Sequence, residues 1–60
     1  RRSIFARESL KKNEKITLRK ILLRRPGEGI PPNKLATILG KKVKKNIKKN
    51  SLFRISDIII

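Results

Sequence analysis

The residues best suited to chemistry lie together near the middle of the chain, in Arg24-Arg25-Pro26-Gly27-Glu28-Gly29-Ile30-Pro31-Pro32. This stretch holds all three prolines and two of the three glycines. Pro26 fixes its own φ and biases Arg25 toward extended backbone. Gly27 and Gly29 can take positive φ and let another molecule come close to the main chain. The expectation is a stiff, exposed loop with an arginine held at its entrance. A guanidinium so held presents a planar fork of donors to a carboxylate, a phosphate or an array of sugar oxygens. By itself such a loop would be only a connector between two strands; the rest of the chain raises the functional reading.

Other catalytic chemistry has little to work with. There is no Cys and no His, so a disulfide, a thiolate metal site and an imidazole base are excluded. The four acidic residues, Glu8, Glu14, Glu28 and Asp57, have no spacing that suggests paired acid–base work. Ser3, Ser9, Ser51 and Ser56 lack a base and read as turn or cap residues. Glu28 reads as a solvated loop carboxylate. We expect no catalytic residue, metal ligand or cofactor in this chain.

Eighteen Lys+Arg against four Asp+Glu give a net charge of +14, which raises nucleic acid as a partner. Against this, Phe5 and Phe53 are the only aromatics, too few for base-stacking platforms, and no helix-turn-helix or zinc-finger pattern is present. The lysines alternate with apolar residues, as on a solvated face. Nonspecific polyanion affinity is expected, not sequence reading. No apolar run approaches a membrane span or a signal peptide, and the lack of Cys fits the cytoplasm. The chain starts at Arg1 and has no Met. We therefore expect residues 1–60 to be one domain excised from a larger protein, with residues 1–2 the end of a linker.

The elements that must position the loop are legible in part. Leu10-Lys11-Lys12-Asn13-Glu14-Lys15-Ile16-Thr17-Leu18-Arg19-Lys20-Ile21 aligns with Ile47-Lys48-Lys49-Asn50-Ser51-Leu52-Phe53-Arg54-Ile55-Ser56-Asp57-Ile58, 37 positions on, with four of twelve positions identical. Asn tolerates left-handed backbone better than other non-glycine residues, so Asn13 and Asn50 are expected to close equivalent tight turns in halves related by a pseudo-two-fold. Ile16-Thr17-Leu18 and Phe53-Arg54-Ile55 have the alternation of a strand, or of a strand entering a helical turn. Thr17 and Ser56 are candidates to open such turns. Pro31-Pro32, Leu35, Ile38, Leu39 and Gly40 predict one short helix with a glycine cap. The fold class expected is mostly β, with five or more short strands and short helical turns. The expected core is Phe5, Leu10, Ile16, Leu18, Ile21, Leu35, Leu39, Val43, Ile47, Phe53, Ile55 and Ile58.

At this level the chain resembles a known family. The runs RSIFARESLKKNEKIT, LLRRPGEGIPP and LGKKVKKNIKKNSLF are similar to the antifreeze-like or SAF domain, above all the copy at the C-terminus of N-acetylneuraminate (sialic acid) synthases and related nonulosonic acid synthases. The most specific part is Arg25-Pro26-Gly27 with Gly29-Ile30, followed by Leu39-Gly40-Lys41-Lys42. Asn13 and Asn50 stand where the family usually has Gly, with the same turn geometry. The resemblance implies a β-clip fold. It also implies a parent enzyme whose N-terminal barrel, with its divalent metal, condenses phosphoenolpyruvate with N-acetylmannosamine or a related amino sugar. In that setting the domain is swapped across a dimer and caps the partner's barrel. Arg25, Pro26, Gly27 and Gly29 are then the substrate-binding residues, Arg25 reaching the sugar.

Two other functions compete. Fish type III antifreeze proteins share the fold, and Asn13 and Thr17 match their ice face. Ice needs a flat, weakly polar surface, whereas Glu8, Lys12, Glu14, Arg19 and Lys20 surround that face with charge. A stand-alone nucleic-acid-binding module rests on net charge alone. A reading frame continuing upstream into a barrel-sized segment would separate the capping domain from that module.

Overall fold

The computed structural model describes residues 1–60. Strand β1 (Ser3–Ala6) pairs antiparallel with β2 (Ile21–Arg24), Ser3 opposite Arg24 and Ala6 opposite Ile21. Strand β3 (Lys42–Val43) pairs antiparallel with β4 (Ile58–Ile59). The helix α1 (Leu35–Ile38) continues from a 3-10 turn at Pro32–Lys34. Two more 3-10 turns, Leu18–Lys20 and Ile55–Asp57, lead directly into β2 and β4. The chain is thus a small, mostly strand structure of two short antiparallel sheets and one short helix. Four strands form, not five or more. Outside these strands, pairing is limited to single antiparallel bridges, Phe5–Leu52, Leu10–Ile47 and Lys15–Lys42.

The turn chemistry follows the residues. Asn13 has φ 72° and Asn50 φ 70°, and no other non-glycine residue has positive φ. Gly40, just past α1, has φ 82°, the left-handed cap that glycine adopts without penalty. Around the asparagines, backbone hydrogen bonds recur 37 residues apart. Asn13 N–H donates to the Val43 carbonyl and Asn50 N–H to the Ala6 carbonyl, at 2.8 and 2.7 Å. Arg7 N–H donates to the Lys20 carbonyl and Lys44 N–H to the Asp57 carbonyl, at 2.8 and 2.7 Å. Leu10 and Ile47 exchange both of their bonds. Replacing Asn13 or Asn50 with Ala is expected to destabilise by about 1 kcal/mol, since a Cβ is penalised at left-handed φ without the local bonding of Asn. Replacement with Gly is expected to be neutral or mildly stabilising; urea denaturation of the four variants checks both.

The core comprises Ile4, Ala6, Leu10, Ile16, Ile21, Ile30, Ile38, Val43, Ile47, Phe53 and Ile58, with Leu35 and Leu39 packed against it. Three expected members fall outside. Phe5 is only half-buried, because alternation along β1 gives the inward places to Ile4 and Ala6. Leu18 and Ile55 are 65% and 51% exposed. Each opens a 3-10 turn, which carries it off the inward face that the two-residue period would have kept. Within α1 it is Ile38 that is fully buried, while Leu35 and Leu39 flank it. The 3-10 turn Ile55–Asp57 is entered through Arg54, not Ser56. Arg54 is the residue aligned with Thr17, which enters the first turn; neither makes a side-chain capping bond. No helix is long and apolar enough to cross a membrane.

Candidate functional site

The Pro-Gly loop leaves β2 at Arg24 and returns to the core at Ile30, which is buried. Arg24 and Arg25 part in their surroundings. Phe5 stands opposite Leu22, so Arg24, two residues beyond Leu22 on the same face, is its diagonal neighbour. The Arg24 guanidinium lies 5.9 Å from the Phe5 ring centre, within cation–π range. It therefore runs along the domain surface. Arg25 is the first residue after the strand and is exposed. The two ion pairs of the chain, Lys20–Glu14 and Lys45–Asp57, use neither arginine. Pro26 is exposed, and the Arg25–Pro26 peptide bond is cis.

The two loop glycines do not adopt the positive φ that their type permits; among glycines only Gly40 does. Their smallness serves close approach by the chain itself. A Cβ on Gly27 would stand 2.6 Å from Arg1 Cβ and 3.0 Å from the Arg1 carbonyl carbon. A Cβ on Gly29 would stand 2.7 Å from a Leu52 methyl and 2.9 Å from the Phe53 carbonyl oxygen. Gly29 is also held by its N–H, which donates to Ser3 Oγ at 3.0 Å. Ser3 is wholly buried and satisfied. One bond further along, Ile4 N–H donates to the Ile30 carbonyl at 3.1 Å. The loop is thus pinned to β1 on one side and to the Leu52–Phe53 segment on the other, and Arg25 projects from a braced support. Gly29→Ala is expected to destabilise by about 1–3 kcal/mol, because the Phe53 carbonyl is main chain and cannot swing aside as a side-chain tip would. A thermal melt of the variant checks it.

Beside the loop opens a cleft of about 410 Å³. Glu28, Gly29, Ile30 and Pro31 form its loop wall, Lys34 and Thr37 its helix wall, and Arg54 and Ile55 close it. The Thr37 hydroxyl donates to the Lys34 carbonyl at 2.6 Å. Of the four predicted site residues, Gly29 lines this cleft, while Arg25, Pro26 and Gly27 do not. A second cleft, of about 440 Å³, lies against the segment from Lys45 to Lys48 and also includes Arg54. Lys34, Thr37 and Arg54 were not singled out by the sequence. The repeat alignment placed Arg54 opposite Thr17, at the mouth of a turn, and that was the available signal for its exposure.

No three His, Cys, Asp or Glu side chains come together in a metal-holding group. Phe53 is fully buried, which leaves the half-buried Phe5, with the Arg24 guanidinium near its ring, as the one partly accessible aromatic.

Compared with known proteins, the chain matches the family model of the SAF domain over residues 1–59. It is 34% identical over 59 residues to an uncharacterized protein of Methanocaldococcus jannaschii, covering 98% of this chain and 18% of that protein. The chain thus spans less than a fifth of the length of that relative.

Proposed function

We propose that this chain, which belongs to the SAF domain family, is the C-terminal substrate-capping domain of a sialic-acid-type synthase. The parent condenses phosphoenolpyruvate with N-acetylmannosamine or a related amino sugar. The observation that carries the reading is the loop: Arg25 is exposed and outside both ion pairs, at the head of an Arg-Pro-Gly turn braced by Ser3 and by the Leu52–Phe53 backbone. A guanidinium on such a support can donate in-plane hydrogen bonds to sugar oxygens with little loss of side-chain freedom on binding. Pro26 and Gly27 shape the turn, and Gly29 sets its height above the core.

In this reading the fold is a β-clip whose halves are related by a pseudo-two-fold. The matched φ values at Asn13 and Asn50 and the hydrogen bonds that recur 37 residues apart support it. The domain lies over the barrel of the dimer partner, in the cytoplasm, and that barrel supplies the metal and the phosphoenolpyruvate site. One loop is only a fraction of a sugar site, and small-ligand affinity needs burial on several sides.

The test is phosphate release from phosphoenolpyruvate in the presence of amino sugars. The full reading frame containing these residues is expected to release it only when both substrates are present. The 60-residue chain alone is expected to release none and to show no measurable affinity for N-acetylmannosamine. Condensation by the isolated chain, or a full reading frame without a barrel-sized segment, would overturn the proposal.

A further inference from the structure

We propose that the two clefts bordering Arg54 form one docking groove for an extended, acidic polypeptide segment with interspersed apolar side chains. Arg54 lines both clefts, so a ligand lying across it touches both. Lys34 stands on one side, Lys45 and Lys48 on the other. Lys45 Nζ is 3.3 Å from Asp57 Oδ1 and is thereby partly neutralised. Lys34, Arg54 and Lys48 belong to neither ion pair and are exposed. Carboxylates are the complement of those three cations.

Charge alone would suit any polyanion; the groove's other residues choose among them. Next to Arg54 sits Ile55, 51% exposed, with Ile30 and Ile47 beneath the two halves. Ile55 thus offers one exposed apolar side chain beside the shared cation, a mixed surface of the kind that protein interfaces carry. An extended peptide can answer both parts, because successive side chains leave a strand on opposite faces. A phosphodiester chain meets Ile55 only through sugar carbons or a base methyl, not through a whole aliphatic side chain. Neither phenylalanine lines the groove, so its bases would find no aromatic side chain there to stack on. The groove takes in Gly29 of the Pro-Gly loop but not Arg25, Pro26 or Gly27, so it adjoins the sugar-binding turn without using its arginine.

The experiment is fluorescence anisotropy on the 60-residue chain. One probe is a fluorescein-labelled peptide of repeating Glu-Leu-Asp-Val units; the other is an oligothymidylate of equal charge. The peptide is expected to bind more tightly. A groove variant, Lys34→Ala/Lys48→Ala/Arg54→Ala, is expected to weaken peptide binding by about tenfold or more, whereas Lys15→Ala/Arg19→Ala/Lys41→Ala, which removes the same charge elsewhere, changes it by less than about threefold. Ile55→Ser, which keeps every charge, is expected to weaken it by about fivefold. Thermal melts of each variant establish that it is folded before binding is read. Equal losses in the two triple variants, oligonucleotide binding as tight as that of the peptide, no peptide binding, or an inert Ile55→Ser would each overturn the proposal.

Discussion

Arg25→Ala in the full-length parent is expected to lower kcat/KM for the amino sugar by about a hundredfold, while KM for phosphoenolpyruvate and the thermal stability of the domain stay near those of the parent. The size follows from two charge-assisted hydrogen bonds at about 1.5 kcal/mol each, lost together. Stability is spared because Arg25 is exposed and takes no part in the core or in an ion pair. Arg25→Lys is expected to recover little, since a point charge does not reproduce the planar fork. Arg24→Ala is expected to be mild, costing only the packing over Phe5, about 0.5–1 kcal/mol of stability. Steady-state kinetics with each substrate varied in turn separate these cases. A damaging Arg24→Ala, or an Arg25→Ala indistinguishable from the parent, would contradict the assignment.

Phe53→Ala is expected to cost about 3–5 kcal/mol of unfolding free energy, the largest stability loss of any single truncation in this chain. Phe53 is 0% exposed and is the largest fully buried side chain. Its N–H donates to the Ile4 carbonyl at 3.0 Å, and its own carbonyl oxygen lies 2.9 Å from where a Cβ on Gly29 would be. Loss of the ring therefore loosens β1 and the Pro-Gly loop together. A domain of this length hides only roughly 60% of the surface its unfolded chain exposes, so the expected loss is a large share of its margin. Urea denaturation of Phe53→Ala beside Phe5→Ala is the check, with the half-buried Phe5 expected to cost clearly less. Equal losses would mean that the two rings are equally embedded.

Local chemistry made much of this fold legible. Asn13, Asn50 and Gly40 announced left-handed positions because few other residues tolerate them, and all three are found there. The Pro31-Pro32 start and the Leu35, Ile38, Leu39 spacing announced the helix region. Side-chain periodicity misled where the backbone changed type within three residues. Leu18 and Ile55 kept a strand-like spacing into 3-10 turns and so came out exposed. Ile4 and Ile30 were missed because each lies beside a more conspicuous neighbour, Phe5 in one case and the loop glycines in the other.

The loop itself was readable as a loop, and Arg25 as its exposed cation. The contacts of its glycines were not, because they depend on segments distant in sequence: Arg1 against Gly27, and Leu52 and Phe53 against Gly29. The groove at Arg54 was hidden for the same reason. Its walls come from the loop, the helix region and the second half of the repeat, and no local pattern brings those together.

The proposed capping of a partner's barrel is tested most directly by subunit complementation in the full-length protein. One subunit carries Arg25→Ala with its barrel intact; the other keeps Arg25 but is inactivated in the barrel's metal site. Each homodimer is inactive or nearly so. If Arg25 acts across the dimer, the mixed dimer has one complete site, and random reassortment is expected to restore roughly a quarter of the parent's synthase activity. If the mixed population is no more active than its two components, Arg25 does not reach across to a partner's barrel and the account fails.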